Sequence, residues 1–140
     1  MKSNVTGAEA TDLIPVVIIA RNMAIVKRLK SILDHEGKKS VHFSDPFDFC
    51  REMKGTTRSV VFLESGFVRE YGRILYERLF RVCPFLKIVL VCSPEDRDLI
   101  KEAMENGVYG CVVEPFDAWE VSTMLRHLLA DLAFNVRKVE

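Results

Sequence analysis

At 140 residues the chain has the length of one domain, enough to bury a single sizeable core without disulfides or a structural metal. Twenty Lys and Arg balance twenty Asp and Glu, and a net charge of zero supplies no global field toward nucleic acid or an anionic membrane. Cys50, Cys83, Cys92 and Cys111 are widely spaced, with no C-x-x-C and no secretory signal before them, which argues against a disulfide framework or zinc site and for the reducing cytoplasm.

Residues 1–12, MKSNVTGAEATD, mix small and polar types without periodicity and read as a flexible leader. The apolar run that follows, residues 13–20, falls short of the ~20 residues that span a bilayer. Within it PVVIIA, residues 15–20, has the continuous β-branched character of a strand covered on both faces. Met23, Ile25, Val26, Leu29, Ile32 and Leu33 then recur at helical spacing, with Gly37 placed to end the helix. SVHF (Ser40–Phe43) reads as a short second strand. DPFDFCREMKG offers an Asp45 cap, Pro46 in the first turn and Gly55 as the stop. SVVFL, residues 59–63, is the third strand; Tyr71, Ile74, Leu75, Leu79 and Val82 make a third helical stripe closed by Pro84; KIVLVC, residues 87–92, is the fourth strand. SPEDRDLIKEAMENG predicts a fourth helix with a Ser93 cap, Pro94 at its first position and an Asn106-Gly107 exit. GCVV (Gly110–Val113) is the fifth strand, and Asp117 with Glu120 forms a capping-box pattern for a last helix whose stripe runs Val121, Met124, Leu125, Leu128, Leu129, Leu132.

Five βα units in succession, joined by right-handed crossovers, predict a doubly wound α/β domain with helices on both faces of a five-stranded parallel sheet. The flavodoxin-like order 2-1-3-4-5 is expected, with ligands at the carboxyl ends of strands 1 and 3, where the winding reverses. The domain spans residues 13–130, and residues 131–140 extend the last helix as a connector to an effector domain would. Chemistry is therefore sought at Ala20, Arg21 and Asn22 and at Glu64 and Ser65. A nucleotide- or flavin-binding function is the alternative this crevice raises, but no glycine-rich phosphate loop follows strand 1 and no G-x-x-x-x-G-K-[ST] occurs.

Over residues 14–129 the sequence resembles the receiver domain of two-component response regulators. ENGVYGCVVEPFDAWEV is the most specific match, similar to that family's helix exit, fifth strand and K-P-F turn; SVVFLE and KIVLVCS match its third and fourth strands. The resemblance implies phosphorelay-related signal transduction. It also implies an acid pair after strand 1 that holds Mg²⁺ with a phosphoryl-accepting aspartate ending strand 3, then a Thr or Ser ending strand 4 and a Lys after strand 5. Carried over position by position, the acid pair falls on Ala20 and Arg21, the acceptor on Glu64, the hydroxyl on Cys92 and the lysine on Glu114. The aromatic residue three before that lysine falls on Cys111, while Pro115 and Phe116 are retained.

A methyl group and a guanidinium cannot ligate a hard cation, and without metal and lysine nothing offsets charge on a transferring phosphoryl group. The expectation is a degenerate pseudo-receiver without catalytic residues, cofactor or metal: a phosphorylation-independent module, not an enzyme, that binds a protein partner or is fused to an effector domain in a larger regulator, such as a transcription factor. The alternative within the family is an authentic receiver phosphorylated at Glu64 or Ser65. Glu64 is expected to pair with the Arg21 side chain, the competing reading being a built-in phosphate mimic. The Glu114–Pro115 bond is expected to be cis, as the resemblance implies. Arg97, Lys101, Glu105, Cys111, Trp119 and Arg126 mark a candidate interaction face on the fourth helix, fifth strand and last helix, suited by its mixed charge to a two-fold homodimer. Direct contact with nucleic acid or a membrane is not expected. His35, His42 and His127 are scattered singly and read as ordinary surface or hydrogen-bonded histidines. Cys92 and Cys111 fall at adjacent strand ends where a redox pair can be imagined, but no neighbour is expected to lower a thiol pKa there.

Overall fold

Continuous apolar runs need cover on both sides, and the computed structural model, which describes residues 13–139 and side chains through residue 134, gives them that cover. The leader expected at residues 1–12 lies outside the described residues. Strands β1 (Val16–Ile19), β2 (Ser40–Phe43), β3 (Arg58–Glu64), β4 (Phe85–Cys92) and β5 (Gly110–Val113) form one parallel sheet in the order β2-β1-β3-β4-β5. This is the flavodoxin-like order expected. Ile19 stands opposite both Phe43 and Leu63, so β1 lies between β2 and β3 and the winding reverses at its end.

Side chains alternate across the sheet into two cores. Val16, Ile18, Val60, Phe62, Val89, Val91 and Val112 pack with Leu29 and Leu33 of α1 (Met23–His35) and with Leu125 and Leu128 of α6 (Ala118–Val139). On the other face Val17, Ile19, Val61, Leu63, Ile88 and Leu90 meet four shorter helices: α2 (Pro46–Glu52), α3 (Ser65–Tyr71), α4 (Ile74–Val82) and α5 (Ile100–Glu105). Polar caps set the helix starts. Asn22 accepts the Ala24 amide at 2.9 Å, Asp45 that of Phe47 at 2.7 Å, and Asp117 that of Trp119 at 2.8 Å. Gly37 ends α1 with φ of 74°, a conformation that favours glycine. The Glu114–Pro115 bond is cis, as expected. Among the described residues no helix is long and apolar enough to cross a membrane.

Two elements differ from expectation. The third helical stripe belongs to two helices, because α3 starts directly after β3 and Gly72, with φ of 79°, turns the chain before α4. The fourth helix is a 3₁₀ turn over Pro94–Leu99 followed by the short α5, and Asp96 within the turn has non-helical angles, φ −103° and ψ 16°. Ser93 does not cap it through its side chain; its hydroxyl donates to the Asp96 carboxylate at 3.2 Å. The cause is tertiary, since Asp96 is held by Ser65 and Arg69 of α3 as well as by Ser93 before its own turn.

Candidate functional site

Because β1 and β3 are neighbours and end together, Ala20, Arg21 and Glu64 converge at the carboxyl edge of the sheet. Glu64 Oε1 accepts the backbone N–H of Arg21 at 2.7 Å and that of Asn22 at 3.2 Å. These amides lead into α1, so the carboxylate also faces the positive end of that helix. The Arg21 guanidinium, expected on Glu64, instead donates to Glu70 Oε1 at 3.0 Å and lies over the Phe67 ring at 4.5 Å. Helix α3 is responsible: it lifts Phe67 and Glu70 beside the end of β1, while Glu64 takes rigid backbone donors that lose no rotamer freedom. Arg21 and Glu70 are both about half exposed, with side chains 53% and 47% accessible, so their pair is a solvated one. Removing the guanidinium then costs less than a buried pair with Glu64 would have.

The remaining carried-over positions surround this edge. Ala20 is buried and offers only a methyl group, Cys92 is fully buried at the end of β4, and Glu114 is half-buried beside the exposed Pro115. Burial, then the charges of Glu64 and Glu95, push the Glu114 carboxyl above the usual carboxylate range. Glu114 thus adds acid to the site at the position where the resemblance implies a lysine. A carboxyl raised in the folded state stabilises most below its unfolded pKa, near ~4.3, and loses that contribution as pH rises through the folded value. Glu114→Gln is therefore expected to raise the melting temperature at neutral pH and to leave it nearly unchanged near the unfolded pKa. A lower melting temperature at neutral pH would mean that the carboxylate has a stabilising partner.

A second cluster was not anticipated. Ser65, 1% exposed, donates to Asp96 Oδ2 at 2.7 Å and accepts the Ser93 amide at 3.3 Å. Arg69 reaches Asp96 Oδ1 from Nε at 3.1 Å and from Nη2 at 3.0 Å, and also holds Asp98. Ser65, then Arg69 and Ser93, hold the Asp96 carboxyl below its ordinary value. Ser65 therefore clamps the end of β3 to the turn after β4. Two signals for the cluster were present in the sequence: the S-x-x-D spacing of Ser93 and Asp96, and Ser65 one helical turn before Arg69.

Cys92 and Cys111 share a sheet face. Leu90 is opposite Cys111 and Cys92 opposite Val113, which makes the two cysteines diagonal neighbours on β4 and β5. The neighbouring Cys92 thiol lowers the pKa of Cys111, while the Cys111 thiol and then burial raise that of Cys92. This corrects the expectation that nothing depresses a thiol pKa at this edge.

Of the candidate interaction residues, Arg97, Lys101 and Glu105 are exposed along the 3₁₀ turn and α5, and Trp119 is 70% exposed at the start of α6. Arg126 makes a bidentate contact with Glu36 at 3.0 and 3.2 Å, which ties it to the end of α1 instead of to β5 or α5. His42 hydrogen-bonds the Ala20 carbonyl at 2.8 Å. A cleft of about 580 Å³ runs between α1 and α6, lined by Lys27, Arg28, Ser31 and Ser122 among others. The Mg²⁺ implied by the resemblance does not fit the donors present, since Ala20 provides no oxygen ligand and the Arg21 cation repels it. Among the described residues no group of three His, Cys, Asp or Glu is arranged to hold a metal ion.

No protein-family model and no curated protein matches the sequence. Its fold, however, recurs in solved structures. An uncharacterized protein from Neptuniibacter caesariensis superposes with a TM-score of 0.75 at 19% identity, over 89% of this chain and 93% of that one. The N-terminal signal receiver domain of a two-component system response regulator from Bacteroides fragilis gives a TM-score of 0.71 at 21% identity, over 82% and 95%. Full-length FixJ from B. japonicum gives 0.71 at 23% identity, over 86% of this chain and 59% of that one. The chain has the fold of response regulator receiver domains.

Proposed function

We propose that the chain is a receiver-like regulatory module of signal transduction that acts by binding and does not receive a phosphoryl group. The fate of Glu64 carries this reading. Its Oε1 already accepts two backbone amides, and the acid charge of Glu114 and Glu95 lies where an incoming phosphoryl group needs a cation. The Arg21 guanidinium, whose own backbone amide Glu64 accepts, is turned to Glu70. The enclosed Ser65 hydroxyl is committed to Asp96, which weighs against Ser65 as an acceptor. The same acids oppose the phosphates of a nucleotide or flavin.

On this reading the module is not an enzyme, and its output is contact with a protein partner or a fused effector domain in the reducing cytoplasm. Helix α6 runs 22 residues to Val139, which supports residues 131–140 as the connector. The exposed Arg97, Lys101, Glu105 and Trp119 supply a mixed-charge surface with one large apolar anchor, for a partner or a second copy. The test is an amide NMR titration with Mg²⁺ and beryllofluoride, paired with mass spectrometry after incubation with acetyl phosphate. Millimolar ligand is expected to give no saturable shift at Arg21, Asn22 or Glu64, and the phosphodonor no adduct. A saturable shift there, or a phosphoryl adduct on any residue of the site, refutes the reading.

A further inference from the structure

We infer that the cleft between α1 and α6 binds a phosphomonoester, a small soluble molecule whose phosphate is held by Lys27 and Arg28 and whose organic part lies along the apolar lining. This goes beyond the phosphorylation-independent reading and does not depend on it: the ester is bound, not transferred, and Glu64 takes no part. Ala24, Lys27, Arg28, Ser31, Ile32 and His35 recur at threes and fours, so one face of α1 forms one wall. Ala118 and Ser122, one turn apart on α6, form the other. From Ala24 to His35 the first wall runs about 16 Å at helical rise. A volume of about 580 Å³ falls within the range of small-molecule sites, roughly 300–1,000 Å³.

The lining selects the ligand's charge. Lys27, Arg28 and His35 line the cleft and no carboxylate does, although the chain as a whole is neutral. Of the acids beside it, Glu36 is held by Arg126 at 3.0 and 3.2 Å and Asp117 accepts the Trp119 amide at 2.8 Å, while Asp34 and Glu120 lie outside the lining. The Lys27 ammonium has no ion-pair or hydrogen-bond partner among the described residues. Arg28 is by contrast fixed: its Nη2 donates to the Phe116 carbonyl at 2.7 Å, and the guanidinium lies 5.3 Å from the Phe116 ring. A guanidinium already held in place loses little freedom on binding, and its remaining N–H groups stay open to a ligand's oxygens. A phosphate with a charge of about −2 matches this pair of cations better than a carboxylate, and its three terminal oxygens also suit the Ser31 hydroxyl. Ala24, Ile32 and Ala118 leave an apolar strip for the rest of the molecule. Arg28 joins α1 to the turn between β5 and α6, so a ligand on the guanidinium bears on the start of α6, where Trp119 is exposed.

The experiment titrates the full chain with phenyl phosphate, AMP and glucose 6-phosphate, each beside its unphosphorylated counterpart phenol, adenosine or glucose. Amide NMR shifts and the fluorescence of Trp119, the single tryptophan, are followed. At least one ester is expected to give saturable shifts at Lys27, Arg28 and Ala118 with a millimolar or lower dissociation constant, about tenfold tighter than its counterpart. Lys27→Glu, at an exposed position, is expected to weaken that ester by about tenfold at an unchanged melting temperature. Arg28→Lys, which keeps the charge but not the planar fork, is expected to weaken it as well. The proposal is overturned if no ester saturates by about 10 mM, if every counterpart binds as well as its ester, or if Lys27→Glu binds like wild type. A glutamate-rich peptide that shifts the same amides at lower concentration than every ester overturns it in favour of a protein partner. Co-sedimentation with phosphatidate vesicles, but not with phosphatidylcholine vesicles, overturns the soluble source in favour of a lipid headgroup. The shifts are read at Lys27, Arg28 and Ala118, apart from Arg21, Asn22 and Glu64, so failure here is distinguishable from failure of the phosphorylation-independent reading.

Discussion

Asp96→Ala is expected to melt about 10 °C below the wild-type chain, a loss of about 3 kcal/mol. The carboxylate accepts from Ser65 at 2.7 Å, Ser93 at 3.2 Å and Arg69 at 3.1 and 3.0 Å, and is 9% exposed. Truncation leaves the enclosed Ser65 hydroxyl without its acceptor and removes the anchor that bends the Pro94–Leu99 turn. Asp96→Asn keeps the shape but not the charge, and is expected to fall between the two. The pH dependence has a definite sign. A carboxyl held below its ordinary value contributes stability that is present above the unfolded pKa, near ~3.9, and is lost as pH falls through the folded value. The gap between wild type and Asp96→Asn should therefore be full at neutral pH and shrink under acid. Thermal melts followed by circular dichroism check both points; an Asp96→Ala protein melting with wild type at neutral pH would show the cluster to be decorative.

Phe62→Ala is expected to cost about 4 kcal/mol, the larger of the two effects in free energy, through lost transfer energy and the cavity left behind. Phe62 is fully buried on β3, between Ile18 of β1 and Val89 of β4, in the core shared by α1 and α6. Its neighbours come from two strands and two helices, so no single element can move in to fill the space. Urea denaturation should show a lower midpoint with an unchanged slope. A loss below about 1 kcal/mol would mean that this core is loosely packed at its centre.

The fold was legible because its main signals are local. PVVIIA and KIVLVC are continuous apolar runs that only a doubly covered strand explains, and Gly37 and Asp45 mark helix boundaries by their own conformational chemistry. What was missed depended on partners far along the chain. Asp96 reads as an ordinary first-turn acid until Ser65, 31 residues away, is placed beside it. Helix α3 was hidden because its seven residues bury only Ser65, Phe67 and Val68, too short a stripe to show a period. Without α3 in the pattern, Glu70 has no visible place at the site, and Glu64 is the acid the sequence leaves for Arg21. The site positions themselves were legible, since the strand order alone brings Ala20, Arg21 and Glu64 to one edge. Their bonds were not, because backbone amides are absent from any side-chain pattern.

The two margins of the sheet, β2 and β5, are each four residues long. A margin that short presents few open backbone groups, and Lys38 and Lys39 precede β2 with charge that discourages a flat neighbour. Another chain cannot readily extend this sheet by adding a strand. Whatever docks on the protein must therefore be recognised through side chains on helices and loops, so that specificity rests on surface residues that can change without disturbing the ladder beneath them.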